Sequence, residues 1–106
     1  MRWQVIKRPQ AREDLIESFL YIELDNPAAA ERFLEAAEHT FLEIAEMPLL
    51  GAQQFVGARR LDGLRSRHIK GFSNWLVFYV LTEYAVEVVR VLHGARDLEQ
   101  VFAEEE

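Results

Sequence analysis

The chain has 106 residues, of which 50% are hydrophobic and 28% are charged, and its formal net charge is −6. This length supports one hydrophobic core, so we expect a single domain over residues 1–106. The composition is typical of a folded globular protein and excludes a disordered chain. The excess of carboxylates argues against broad attraction to nucleic acid, which depends on lysine and arginine neutralising phosphates.

Two further features restrict the chemistry and the location. The chain contains no cysteine, so disulfides and thiolate chemistry are excluded, and a zinc site would have to use His, Asp and Glu. No segment approaches the ~20 apolar residues that a membrane span needs, and the first residues lack the apolar region of a signal peptide. We therefore expect a cytoplasmic protein with no membrane contact.

The first predicted elements are a strand and a helix. Residues 3–7 alternate apolar or aromatic side chains with polar ones, which is typical of a strand, and Arg8-Pro9 ends the pattern. From Pro9 the apolar period changes to three or four residues, which predicts a helix with Pro9 in its first turn. The predicted core stripe of this helix consists of Ala11, Leu15, Ile16, Phe19, Leu20 and Ile22.

A second helix is expected after Asp25-Asn26-Pro27. The residue before a proline is pushed out of the helical region, whereas proline itself suits the first helical position. Asn26 is therefore the predicted N-cap of a helix that runs to the vicinity of Met47. Because the break between the two helices is short, they should form an antiparallel hairpin.

Three strands are expected after a loop at residues 49–63, where the apolar period is lost. Turns are predicted at residues 71–74 and 82–85. The segment 75–81 is apolar on both alternating faces, so neither face can be left in water without cost. This segment is the predicted central strand of the sheet.

The last predicted element is a short helix from Asp97, with Leu98, Val101 and Phe102 facing inward. The complete order predicts an α+β fold with an N-terminal strand, an α-helical hairpin, a three-stranded antiparallel meander and a short C-terminal helix.

Candidate catalytic groups are few. His39, His68 and His93 do not stand at metal-ligand spacing with one another or with a carboxylate. No serine or threonine has a paired base or a nucleophile elbow, and no glycine-rich phosphate loop occurs. We therefore predict no metal, no cofactor and no catalytic residue, and a protein that is not an enzyme.

The exception is a group of cations on and around the predicted strands. By alternation, Arg65 and Arg67 share one strand face with Ile69. A cationic face on an acidic protein favours an anionic partner. In the alternative interpretation, Arg65 or Arg96 pairs with a carboxylate and only stabilises the sheet edge and the final turn. The cations within residues 59–70 are Arg59, Arg60, Arg65, Arg67, His68 and Lys70.

The candidate contacts for a target or partner combine cations with aromatic residues. The aromatic residues are included because their strand is apolar on both faces, and the helices are expected to cover only one of them. These candidates are Arg65, Arg67, Arg90, His93, Arg96, Trp75 and Tyr79.

Short motifs in a fixed order extend over nearly the whole chain. They are AREDL at 11–15, YI at 21–22, NPAAAERF at 26–33, PLLG at 48–51, GLR at 63–65, GFSNWLVFY at 71–79 and VLHGARD at 91–97. Each motif is weak alone, but their order and spacing together are specific. With this series the chain resembles the ParE branch of the ParE/RelE superfamily of toxin–antitoxin toxins.

The resemblance implies a RelE/ParE-like fold and a bacterial toxin that arrests growth. The implied target is DNA gyrase, whose cleavage complex with DNA such toxins stall without catalysing a reaction. The implied partner is a ParD-like antitoxin, which wraps a disordered C-terminal segment around the toxin. No direct binding of nucleic acid by the toxin alone is expected.

Two alternatives accompany this interpretation. In the first, a RelE-like ribosome-dependent mRNA endonuclease, Arg65 and Arg90 would stabilise the reacting phosphate and His93 would transfer a proton. The tail at residues 101–106, VFAEEE, lacks the basic or aromatic ending that ribonuclease members carry. In the second, the chain is a non-toxic protein-binding member of the family.

Overall fold

A computed structural model describes residues 2–56 and 59–94 of the chain. The predicted C-terminal helix from Asp97 and the candidate Arg96 lie outside these residues. The elements follow the chain as β1 (Gln4–Lys7), α1 (Pro9–Asp25), α2 (Pro27–Glu46), one short helical turn (Pro48–Leu50), β2 (Ala52–Val56), β3 (Arg59–Ile69), β4 (Phe72–Leu81) and β5 (Ala85–His93).

The helical hairpin forms where the local signals predict it. Pro9 and Pro27 each occupy the first turn of a helix. The Asn26 side chain accepts a hydrogen bond of 3.1 Å from the backbone N–H of Ala29, which caps α2. The backbone N–H of Asn26 donates to the carbonyl of Ile22 at 2.9 Å, so the same residue closes α1.

The strands form one mixed sheet in the order β1-β5-β4-β3-β2. The pairs β3–β4 and β4–β5 are antiparallel, which confirms the predicted meander and places β4 at the centre. Strand β1 pairs with β5 in parallel, and the two helices connect β1 at one edge of the sheet to β2 at the other. The Thr82 hydroxyl accepts hydrogen bonds from the N–H groups of Tyr84 and Ala85, which confirms the second turn.

Two boundaries differ from the sequence prediction. The segment 49–63 is not a continuous loop, because it contains β2 and the start of β3. Strand β2 lacks alternation and lies at the sheet edge, where pairing with β3 rather than its own pattern determines its conformation. The first hairpin turn lies at residues 70–71 rather than 71–74, since Gly71 adopts a φ of 85° and β4 begins directly after it.

Helix α1 is apolar on two faces, which corrects its predicted core stripe. Ala11 is fully buried, but Ile16 and Leu20 are 60% and 52% exposed. Leu20 follows Ala11 by about two and a half helical turns, so the two side chains point in opposite directions. The apolar residues of α1 recur every three or four residues on both its buried and its exposed face. This spacing alone therefore does not show which face is buried.

Both faces of the central strand are buried, as predicted for residues 75–81. Val77 and Tyr79 belong to the core between the sheet and the helices, and Phe78 belongs to a second cluster on the opposite face. All three side chains have 0% exposure. The second cluster consists of Leu64, Phe78, Val89 and Leu92, each at most 5% exposed.

Candidate partner-binding site

Arg90 connects strand β5 to helix α1. Its Nε and Nη2 atoms donate hydrogen bonds of 2.8 and 3.1 Å to the two carboxylate oxygens of Asp14. The backbone N–H of Val91 donates to the same carboxylate at 2.9 Å. The Asp14 side chain is only 5% exposed and that of Arg90 only 13%. The ion pair of Arg90 with the buried Asp14 carboxylate therefore joins β5 to α1.

Tyr79 and Arg65 fasten the segment after α2 to the sheet. The fully buried Tyr79 donates its hydroxyl proton to the carbonyl of Pro48 at 2.7 Å. Arg65 donates through Nη1 to the carbonyls of Gly51 and Leu49 at 2.8 and 3.1 Å. The buried carbonyl of Pro48 and the half-buried carbonyl of Gly51 thus each accept a hydrogen bond from one of these side chains. Within the described residues, the hydrogen-bond acceptors of Arg65 are thus backbone carbonyls, whereas the structural interpretation expected a carboxylate.

The cations of β3 lie on the face that the alternation predicts. Arg65 and Arg67 pair in register with Tyr79 and Val77, which belong to the helix-covered core. Arg67 also approaches Glu43 of α2, with 3.8 Å between Nη2 and Oε2. Because β4 separates these arginines from β5, they do not converge with Arg90 on one site.

Trp75 and His93 line a cavity beside α1. Their ring centroids are 4.6 Å apart, with the rings nearly perpendicular. The Trp75 indole Nε1 donates to the Ser18 hydroxyl at 3.1 Å, which fixes the ring against the helix. The cavity has a volume of about 310 Å³, and we call it the α1–β5 cavity. It is lined by Asp14, Glu17, Ser18, Tyr21, Trp75, Val91, Leu92 and His93.

The sequence prediction found the strand side of this cavity and missed the helix side. Asp14, Glu17, Ser18 and Tyr21 stand at positions i, i+3, i+4 and i+7, which places them along one edge of α1. This spacing of polar and aromatic residues could have indicated the helix side of the cavity. The sequence prediction considered only the apolar residues of α1. Of the six candidates within the described residues, only Trp75 and His93 line the cavity.

A family model decides which proteins the chain is related to. The model described as "ParE toxin of type II toxin-antitoxin system, parDE" matches residues 5–98. The chain belongs to the ParE toxin family. No curated protein sequence matches this ParE-family chain closely.

A solved structure agrees with the family in fold. It is described as the chromosomal ParDE toxin–antitoxin system from P. aeruginosa, and it matches the ParE-family chain with a TM-score of 0.72 at 11% sequence identity. The match covers 87% of this chain and 96% of the other. At this identity the likeness shows the fold, which is the α+β arrangement predicted from the sequence.

The described part of this ParE toxin offers no metal centre. Within residues 2–56 and 59–94, no group of three or more His, Asp or Glu side chains is placed to hold a metal ion. None of the helices in the same residues is long and apolar enough to span a membrane.

The ionisation of Tyr79 should make stability depend on pH in alkaline solution. Burial raises the pKa of Tyr79 above its usual value of 10.0, although its polar backbone contact and the charges of Arg65 and Arg67 lower it in part. The unfolded chain therefore releases the phenolic proton at a lower pH than the folded chain does. The free energy of unfolding should fall as pH rises above about 10.

Urea unfolding between about pH 8 and 11 tests this expectation. Tyr79→Phe should flatten the alkaline decline. The matched control is Tyr84→Phe, because Tyr84 is 82% exposed, and this variant should keep the decline of the natural protein. Equal slopes for the two variants would contradict the assignment to Tyr79.

Proposed function

We propose that this ParE-family protein is a type II toxin that arrests growth by poisoning DNA gyrase, and that a ParD-like antitoxin neutralises it. The family match over residues 5–98 carries this proposal. Poisoning by binding requires a rigid scaffold and an accessible surface rather than a set of reacting groups. The buried Asp14–Arg90 pair and the Tyr79 hydroxyl provide that rigidity between helices and sheet.

The positions of the cations favour this target over messenger RNA. An endonuclease needs a base, an acid and a cation around one phosphate. Arg65 donates to the backbone carbonyls of Leu49 and Gly51, and Arg90 is held by a buried carboxylate on the other side of β4. Bringing both guanidinium groups to one phosphate would require breaking these contacts.

A supercoiling assay tests the proposed target. Purified toxin added to gyrase, ATP and relaxed plasmid should inhibit supercoiling in proportion to its concentration. The same batch of purified toxin is then added to a translating extract. Primer extension on its messenger RNA should show no new ends. New ends together with unimpaired supercoiling would instead support the RelE-like alternative.

The antitoxin part of the proposal has its own test. Induced expression of the chain alone should arrest growth, and co-expression of a ParD-like protein from a neighbouring reading frame should restore it. Normal growth without the antitoxin, with the protein folded and abundant, would support the alternative of a non-toxic binding member.

A further inference from the structure

The short helical turn after α2 holds three large apolar side chains in solvent. Met47, Leu49 and Leu50 are 56%, 65% and 65% exposed, whereas Pro48 between them is buried. The Leu50 N–H donates to the Met47 carbonyl at 3.2 Å, which closes the turn. We call the three exposed side chains the apolar knuckle. One exposed leucine is ordinary, but three large apolar side chains within four residues are typical of a surface that contacts another protein.

Side chains from the sheet fix the backbone of this turn. Tyr79 of the central strand donates its hydroxyl proton to the Pro48 carbonyl at 2.7 Å. Arg65 of β3 donates to the Leu49 and Gly51 carbonyls at 3.1 and 2.8 Å. Because the backbone is already fixed, the apolar knuckle loses little conformational entropy when a partner binds it. This preorganisation favours binding by the knuckle.

Arg65 adds a positive charge beside the knuckle. Its acceptors are backbone carbonyls, and no ion pair among the described residues includes it. Arg67, the next cation on the same strand face, is instead 3.8 Å from Glu43. Arg65 is half-buried, so salt screens its charge less than that of an exposed side chain. A partner surface that fits is therefore apolar in its centre and has a carboxylate at its edge.

The apolar knuckle and the α1–β5 cavity are at different ends of the sheet. The knuckle is held by β3 and continues directly into β2, the strand at one edge. The cavity is formed by α1, β5 and Trp75 at the start of β4. The two surfaces share no residue, so the knuckle is a separate candidate contact.

We propose that the apolar knuckle and Arg65 form the surface through which this toxin binds gyrase, and that the knuckle enters an apolar pocket of the enzyme that is bordered by a carboxylate. The inference rests on the proposed function for the identity of the target. It deepens that function by assigning the contact to one turn and one cation, and by stating the chemistry of the surface that receives them.

The affinity of the purified protein for immobilised gyrase tests the apolar part of the contact. Leu49→Gln/Leu50→Gln should weaken binding at least about tenfold, because the amide groups would lose their water in an apolar pocket. The matched control is Leu34→Gln/Leu42→Gln, which changes two leucines that are 39% and 47% exposed on α2 and should keep the natural affinity. Thermal unfolding verifies that both variants are folded. Equal binding by the natural protein and Leu49→Gln/Leu50→Gln would overturn the inference.

The dependence of this affinity on ionic strength tests the role of Arg65. Binding of the natural protein should weaken as salt rises from about 50 to 300 mM, because salt screens the ion pair. Arg65→Gln removes the charge and keeps a side-chain donor, so its affinity should change less with salt. Arg12→Gln removes an exposed cation from α1 and should keep the natural salt dependence. An undiminished salt dependence in Arg65→Gln would overturn the assignment of the cation.

A photo-crosslinker beside the knuckle locates the contact directly. The natural chain has no cysteine, so Ala52→Cys can carry a single crosslinker at an exposed position next to the turn. It should crosslink to gyrase, whereas Ala28→Cys, at the far end of α2, should not. No crosslink from Ala52→Cys at saturating gyrase would overturn the inference.

The natural protein separates this inference from the proposed function. If it binds and poisons gyrase, and Leu49→Gln/Leu50→Gln does so equally well, only the assignment of the surface fails. If the folded natural protein neither binds nor poisons gyrase, the proposed function fails and the inference fails with it.

Discussion

Replacing Asp14 by alanine should lower the free energy of unfolding by about 3–5 kcal/mol. The substitution removes one partner of an ion pair whose Asp14 and Arg90 side chains are only 5% and 13% exposed. It also removes the acceptor of the Val91 backbone N–H. Removing one partner of a buried ion pair is among the most destabilising single changes in a folded domain.

Urea unfolding of a small set of variants measures this effect. The double variant Asp14→Leu/Arg90→Met should be more stable than Asp14→Ala, because it removes both charges and keeps apolar volume. Glu13→Ala is the matched control, since Glu13 is the exposed neighbour on the same helix and should change stability by less than about 0.5 kcal/mol. A loss below about 1 kcal/mol for Asp14→Ala would mean that the pair does not hold α1 to β5.

Gly51→Ala is the second substitution with a large expected effect. An added Cβ would overlap the Tyr79 hydroxyl oxygen, far inside the van der Waals contact distance, and would lie 2.8 Å from its Cζ atom. The Tyr79 ring has 0% exposure and cannot move aside without disturbing the core. We expect a loss of about 1–3 kcal/mol from overpacking.

Two further variants identify the cause of that loss. Gly51 has an extended backbone with a φ of −66°, so alanine adds no backbone strain there. Gly63→Ala is the opposite case, with a φ of 73° and no atom within 4 Å of the added Cβ, and it should cost about 1 kcal/mol through backbone strain alone. Adding Tyr79→Phe should relieve part of the Gly51→Ala loss. Simple additivity of these two losses would contradict a direct clash.

The local parts of the fold were predictable from the sequence. The helical hairpin follows from Pro9, Asn26 and Pro27, whose preferences act within a few residues and do not depend on the rest of the chain. The central position of β4 follows from a segment that is apolar on both alternating faces. Both predictions are confirmed by the capping hydrogen bond of Asn26 and by the strand order.

The nonlocal parts were not predictable in the same way. Strand β2 exists because β3 lies beside it, and its own sequence contains no period. The residues of the Arg90–Asp14 pair are 76 positions apart in the chain. Because no local pattern links them, the sequence analysis grouped Arg90 with the other cations of the sheet. The second apolar face of α1 was hidden because spacing alone does not reveal which turn faces the core.

The candidate residues separate into those that join elements of the fold and those that line the cavity. Tyr79 and Arg90 are chemically prominent in the sequence, yet the fold uses them to join its elements. Trp75 and His93 instead face a cavity that α1 completes with Glu17 and side chains nearby. A buried polar side chain whose hydrogen bonds are made stabilises the scaffold, which is the role of Tyr79 and Arg90.

The most direct test of gyrase poisoning is the amount of cleaved DNA that accumulates with the purified toxin. Gyrase, ATP, supercoiled plasmid and increasing amounts of the folded protein are incubated, and detergent and protease then release any DNA held in a cleavage complex. We predict linear plasmid in proportion to the toxin, and its disappearance when gyrase is omitted. No linear DNA at a large molar excess of folded toxin would contradict the proposed function.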